Sequence, residues 1–482
     1  MKKPSLFVSL IPFALLIAML VLSSMIFGDN MSSGPSQVSL LTGAMFASLI
    51  GVYFLKVPWS EFEEHIGRNF KDTSIPFIIV IMVGGLNASW MLSGVVPTII
   101  VYGLKVISPK IFLAATFLLC GVVSIMLGSS WTTVGTIGLA MFGAGKIIGL
   151  PSEWLAGSII SGAYLGDKLS PLSDTTIMAS SIVGVDLYKH IRYMLITTIP
   201  AVLIALAVFL VVGFTFPVND SASVAYQVNV LHDSFNISPW LLLIPIFTIV
   251  LLVRRVNVLV TLLSSSLIAA VVTCLAQPMV MSQIGDTSSV CPVFRNVVQI
   301  LAMPNTVVTQ SDMINSLAST GGMAKMLNTV WLIMSLLVFG ATMSASGMLS
   351  TITTYILKAA KTTFSLVAAT MASCLCCEFV LSDQYTSIII PGNMFKDAYR
   401  KRGLAPEVLS RTVEDCGTTC SVLVPWNSCG VMQSSLLGVA TLAYAPYCIF
   451  NIASPVMGLI ITAIGYKIHK IDDTASDTTD EN

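Results

Sequence analysis

Charge is what this chain has least of. Of its 482 residues, 10% are Asp, Glu, Lys or Arg, where a water-soluble domain carries about 25%. Its 24 basic and 24 acidic residues cancel, which leaves no basic footprint for nucleic acid. Histidine is scarce too: His65, His190, His232 and His469 all lie near predicted helix ends or loops. No H-E-x-x-H occurs, and the nearest approach to a G-x-G-D protease motif, Leu165-Gly166-Asp167, fails because Tyr164 stands at the first glycine. An intramembrane protease, and enzymes generally, are therefore not expected. There are ten cysteines, but Cys120, Cys374, Cys376, Cys377 and Cys448 sit in apolar runs, where cysteine packs as a small hydrophobe. The single C-x-x-C, Cys374 to Cys377, has no second pair, and Cys416 and Cys420 lie four apart on a predicted helix. No metal or redox cofactor is expected.

What fills the chain is apolar: 55% of residues, with a mean hydropathy of +0.87. A bilayer span takes about 20 such residues. Spans are predicted at 5–27, 37–56, 74–104, 192–215, 237–253, 256–276, 330–357 and 446–466. Stretches 111–146, 153–183, 364–399 and 403–436 are apolar but interrupted. The first run follows Lys2 and Lys3 like a signal peptide, but it is long enough to span and lacks a clean cleavage site, so it reads as a retained helix. Segment 277–329 is too mixed to span and reads as an external or surface-lying connection, and the acidic tail 471–482 reads as disordered. Lys/Arg bias puts both termini in the cytoplasm, together with the loops carrying Lys56, Arg68 and Lys71, Lys189 and Arg192, Arg254 and Arg255, Lys358 and Lys361, and Lys396 to Arg402. Lys105, Lys110 and Lys146 do not fit that threading.

An internal repeat underlies the spans. Ser93-Gly94 recurs as Ser346-Gly347, Tyr102 as Tyr355, Ser129 as Ser382 and Thr133 as Thr386, all offset by 253. After one added residue, Gly149-Leu150, Glu153 and Pro171 recur as Gly403-Leu404, Glu407 and Pro425. The division is 1–72 (N-terminal helices), 73–215 (first repeat), 216–329 (linker helices and external connection), 330–470 (second repeat) and the tail. The first copy starts inside and the second outside, so they cross in opposite senses. Inverted repeats with interrupted helices at matching places point to a secondary transporter whose site lies near the midplane.

The interruptions carry the chemistry, because unpaired backbone at depth is tolerated only where it lines a cavity and ionisable groups there mark ion paths. The first, GDKLSPLSDTT (Gly166 to Thr176), is broken by Pro171 and holds Asp167, Lys168, Ser173, Asp174 and Thr175. The second, EDCGTTCSVLVPWNSCG (Glu414 to Gly430), is broken by Pro425, with Glu414, Asp415 and Thr418 upstream of Asn427 and Ser428. Sodium prefers carboxylate, hydroxyl, amide and freed carbonyl oxygen. Ser173, Asp174, Thr175, Asn427 and Ser428 supply that set, with Asp174 opposite Asn427 or Ser428 depending on where the one-residue shift falls. Two hairpin tips, 129–133 with Thr133 and 382–386 with Asp383 and Thr386, are placed to close the cavity, and Glu378 lies just before the second.

These two blocks, with Gly184-Val185-Asp186-Leu187 and Leu409 to Gly430, resemble the signatures of the NhaC family of sodium/proton antiporters. The resemblance implies an all-α polytopic membrane protein with inverted repeats, two re-entrant hairpins and two unwound transmembrane helices. It also implies Na+ extrusion against H+ at the inner (plasma) membrane of a prokaryote, and it leaves a homodimer open. One similar branch exchanges Na+ and H+ together with malate and lactate, which gives an organic-anion exchanger as the alternative.

The expected mechanism is competition of Na+ and H+ at Asp174, helped by Asp167. For Asp174 the structural alternative is capping the second half-helix. Lys168 is expected to pair with Asp174 or Asp415 and stand in for the cation when the site is empty. Arg411 is expected to pair with Glu414 or Asp415; it is also the single deeply placed arginine that could anchor an organic carboxylate. Asp383 reads as ligand, gate or cap, and Glu153 and Glu407 read as structural acids at helix starts.

Overall fold

The computed structural model describes residues 4–27, 33–217, 219–286, 291–358 and 360–471. Lys2, Lys3 and, from residue 472 on, the acidic tail lie outside the described residues. The chain is helical throughout, and among the described residues β contact is limited to the isolated bridges Asn305–Thr320 and Leu404–Lys470. Among the described residues eight helices are long and apolar enough to cross a bilayer, and two bent pairs would make ten. The sorting of side chains is that of a membrane protein. Leu203, Val211 and Phe214 point outward from Leu187–Thr215, while Lys168, Arg411, Glu378, Glu414 and Asp415 are fully buried.

Several spans differ from the sequence expectation at their ends. The 192–215 span begins earlier, at Leu187, because the Asp186 carboxylate accepts from Tyr188 N and Lys189 N and caps a 29-residue helix. The 330–357 span begins at Gly322 and is two helices, Gly322–Ala345 and Met348–Lys358. The mixed segment 277–329 forms short helices, Pro278–Ile284, Pro292–Ala302 and Asp312–Ala318, none of spanning length.

The repeat is written in the backbone. Glycines with left-handed φ, where a side chain is strained, break or end helices at matching positions: Gly94 and Gly347 (+83°, +69°), Gly149 and Gly403 (+87°, +67°), Gly184 and Gly438 (+84°, +66°). Each repeat has a helix interrupted near its proline. In the first, Ser152–Leu169 gives way to Asp174–Val183. In the second, Pro406–Val413 continues through a π-helical turn, Glu414–Thr418, and is followed by Ser428–Leu437. The two second segments are ten residues each, with Ser173 and Asn427 in the same extended N-cap geometry (φ −76°, ψ 131° and φ −72°, ψ 146°). This settles the alignment the sequence left open: Ser173 matches Asn427, and Asp174 matches Ser428.

Next to each interrupted helix lies a helix–turn–helix. The first joins Phe112–Leu127 to Ser130–Thr133 and Leu139–Ile147 through Gly128 (φ +68°), and the second joins Thr363–Val380 to Gln384–Lys401 through Ser382 (φ +58°). Each turn rests on the break of its own half. Ser130 N donates to Asp167 Oδ1 (2.8 Å) and Ser170 Oγ to the Ile125 carbonyl (2.7 Å). In the other half Ser428 N donates to the Ser382 carbonyl (2.9 Å) and Trp426 Nε1 to the Phe379 carbonyl (2.9 Å).

Candidate functional site

The two breaks free backbone carbonyls, and polar side chains gather on them. At the first, the Asp167 carbonyl accepts from Thr175 Oγ1 (3.1 Å) and Thr176 Oγ1 (2.6 Å), and the Thr175 hydroxyl also meets Ser173 Oγ (2.9 Å). The Asp167 carboxylate is turned the other way, onto the hairpin amide of Ser130. Asp174 is the first residue of its helix, with Ser173 in the cap position, and its side chain is exposed. From there it stays in electrostatic range of Asp167 and of the Tyr385 hydroxyl.

The first break packs on the π-helical turn of the other repeat. There Glu414 Oε1 accepts from Thr418 Oγ1 (2.8 Å), with the Thr175 hydroxyl close by. Glu414 Oε2 is buried without a hydrogen-bond partner. Glu414 and Asp415 are successive residues of this turn and so face different neighbours.

Asp415 faces Lys168. Lys168 Nζ lies 2.5 Å from Asp415 Oδ1, 2.6 Å from Ser454 Oγ and 3.3 Å from Thr197 Oγ1, so all three ammonium protons are used. Thr197 Oγ1 donates to the same carboxylate oxygen (2.8 Å). The pairing expected for Lys168 is thus with Asp415 and not Asp174. Arg411 approaches Asp415 Oδ2 at 3.7 Å and lies over the Tyr193 ring, 4.8 Å from its centroid. None of its three guanidinium nitrogens has a hydrogen-bond acceptor.

Asn427 and Ser428 belong to a second cluster. Asn427 Oδ1 accepts from Cys429 N (2.9 Å) as the helix cap, while its Nδ2 donates to Glu378 Oε2. Ser428 is held to the hairpin turn by its amide. Asp383 caps Gln384–Lys401, accepting from both N and Oγ1 of Thr386 (3.0 Å each). Thr133 Oγ1 donates to the Ser129 carbonyl (2.9 Å) within the first turn.

The structure therefore groups Ser173, Thr175, Glu414 and Thr418 with the Asp167 carbonyl, sets Lys168 with Asp415 and Arg411, and puts Asn427 and Ser428 with Glu378 and Ser382. Among the described residues no hydrogen bond or ion pair joins the first of these groups to Asn427 or Ser428. Glu407 lies outside all three; buried at its helix start, it takes Lys189 (3.3 Å) and His469 (3.0 Å). A separate cavity of about 580 Å³, lined by Asn87, Lys146, Glu153 and Lys325 among others, contains none of the predicted ligands. Glu378, an acid inside an apolar, cysteine-rich helix, is the residue that the structure adds to Asn427 in this cluster.

Two repeats with matching broken helices, polar clusters at the breaks and an apolar exterior define a multi-pass membrane protein built on the plan of a secondary transporter. Comparison with known proteins makes this specific. The model of the Na+/H+ antiporter family matches residues 4–193 and 162–466. The Na+/H+ antiporter NhaC of Alkalihalophilus pseudofirmus is 34% identical over 442 residues, 92% of each chain. NhaC of Bacillus subtilis is 33% identical over 427 residues (88% of this chain, 91% of the relative). The malate-2H+/Na+-lactate antiporter of B. subtilis is 33% identical over 469 residues (97% and 94%). The chain belongs to the Na+/H+ antiporter family.

Proposed function

We propose that this protein expels cytoplasmic Na+ in exchange for external H+ by alternating access, at the inner membrane of a prokaryote and with both termini in the cytoplasm. The two repeats run in opposite senses through the bilayer, and the two helix–turn–helix units enter and leave on one side. A homodimer fits the same reading. The observation that carries the site is the buried, unpartnered Oε2 of Glu414, set beside the Thr175 hydroxyl and the freed Asp167 carbonyl. A hard monovalent cation takes oxygens of these kinds. Asp174, exposed on the same break, receives the ion, and Ser173 and Thr175 pass it to Glu414. Asn427 and Ser428 hold the second break to its hairpin.

Lys168 is the internal counter-ion. It keeps Asp415 neutralised whatever occupies the neighbouring oxygens, so the ion site trades one charge at a time. An empty, ionised Glu414 opposes movement between access states, because burying an uncompensated carboxylate costs several kcal/mol. A loaded or protonated one does not.

The test is proteoliposomes with an acid interior and a trapped pH dye. Na+ added outside should alkalinise the lumen, and Asp174→Asn or Glu414→Gln should lower that response at least tenfold. Full pH-dependent exchange in Asp174→Asn would remove Asp174 from the site. A second reading, organic-anion exchange, is favoured by the guanidinium of Arg411, which has no hydrogen-bond acceptor beyond its 3.7 Å approach to Asp415. It would show as no response to Na+ alone and a response to Na+ with malate and lactate.

A further inference from the structure

The second cluster contains a carboxyl group with no cation. Glu378 is fully buried on Thr363–Val380, just before the hairpin turn. Its oxygens meet two neutral side chains, Oε1 with Ser387 Oγ and Oε2 with Asn427 Nδ2. No Lys, Arg or His reaches it among the described residues. The titratable groups in range are Cys374 and Cys377 on its own helix, Asp383 on the turn, and Cys416, Cys420 and Cys429 on the second interrupted helix. These are thiols and one further acid. An ionised carboxylate in such surroundings is uncompensated, whereas a neutral carboxyl is at home among small apolar thiols.

The hydrogen-bond directions agree. Asn427 Oδ1 is committed to Cys429 N, so its amide group must donate to Glu378. Ser387 has one proton and two oxygens within reach, Glu378 Oε1 and the Gln384 carbonyl at 2.7 Å. With a proton on Glu378 Oε1 the chain closes without conflict. The carboxyl donates to Ser387 Oγ, Ser387 donates to the carbonyl, and Asn427 donates to Oε2.

We infer that Glu378 carries a transported proton of its own, apart from the proton that competes with Na+ at Glu414. The inference rests on the antiport reading above. Loss of the proton leaves a charge against the hairpin turn and against Asn427, the cap of Ser428–Leu437. Proton release is thereby transmitted to the second break while Na+ acts on the first. Cys374 and Cys377 then have a physical role as part of the low-polarity wall of this site.

The experiment uses the full chain in liposomes and two assays of 22Na+ uptake. One is driven by a pH gradient; the other is Na+/Na+ counterflow without a gradient. Glu378→Gln keeps the shape and hydrogen bonds of the protonated acid and cannot release a proton. It should lower gradient-driven uptake at least tenfold and leave counterflow within about twofold. Retention of gradient-driven uptake would move the proton elsewhere. Loss of both activities in monodisperse protein would make Glu378 a cation ligand or a structural residue, and either result overturns the inference. Ser387→Ala gives an independent reading: removing the acceptor should shift the pH midpoint of gradient-driven uptake but not counterflow, and an unmoved midpoint contradicts the assignment. Failure of the antiport reading would show separately, as absent gradient-driven uptake in the unmodified protein, and would take this inference with it.

Discussion

At the scale of single residues, burial separates groups that the sequence placed side by side. Asp167, Lys168 and Asp174 share one short motif, yet Lys168 is enclosed by Asp415, Ser454 and Thr197 while Asp174 is exposed. The pairing of Lys168 with an acid was legible, because a buried ammonium without one is too costly to occur. Which acid it takes depends on the crossing of two distant helices, which no local pattern reports. Lys168→Met removes the closer of the two cations at Asp415, leaving Arg411 at 3.7 Å, and should cost about 3 kcal/mol. Removing both charges, as Lys168→Met with Asp415→Leu, should recover only part of that loss, because Arg411, 3.7 Å from Asp415, then loses its counter-ion. Thermal unfolding of the four variants in detergent measures the coupling, and additive losses would mean the pair is not the stabilising unit described.

At the scale of elements, the helix breaks were readable from Pro171, Pro425 and the glycines around them, since proline removes a donor and glycine allows left-handed turns. The π-helical turn at Glu414–Thr418 was not. Nothing in EDCGT distinguishes it from ordinary helix. The packing role of Gly162 and Gly166 was not visible either. A Cβ on Gly162 would lie 2.4 Å from the Phe117 carbonyl oxygen and one on Gly166 2.2 Å from the Ser124 carbonyl carbon, so the interrupted helix is pressed against the first hairpin backbone to backbone. Close approach through small residues is how membrane helices associate. Gly166→Ala should therefore cost about 1–3 kcal/mol by overpacking. Gly438→Ala meets open space, and its left-handed φ limits the loss to about 1–2 kcal/mol. Equal melting temperatures for Gly166→Ala and the unmodified protein would refute the packing argument.

At the scale of the whole molecule, hydropathy anticipated the helical membrane architecture, because a bilayer imposes length and polarity on each span separately. It could not anticipate how the chain end is fastened. Past Ile464 the backbone folds back on the start of the second interrupted helix. Tyr193 Oη donates to the Lys467 carbonyl (2.9 Å), Ala405 N to the His469 carbonyl (3.0 Å), Ile471 N to the Gly403 carbonyl (2.9 Å), and His469 meets Glu407. Replacing His469 by Ala should loosen this strap and speed tryptic cleavage at Lys467 and Lys470 several-fold, without altering the span content seen by circular dichroism. An unchanged cleavage rate would mean the backbone bonds hold the strap alone.

The Lys168–Asp415 pair also bears on how the molecule is made. Lys168 leaves the ribosome a half-chain before Asp415 does, and at about 5–20 residues per second the interval is on the order of tens of seconds. Through that interval the first repeat holds an ammonium group with its partner not yet synthesised. Ser152–Leu169 cannot take its final depth in the lipid alone, so biogenesis must keep it near water or within the insertion machinery until the second repeat arrives. The two halves share one backbone plan, but assembly of the first waits on translation of the second.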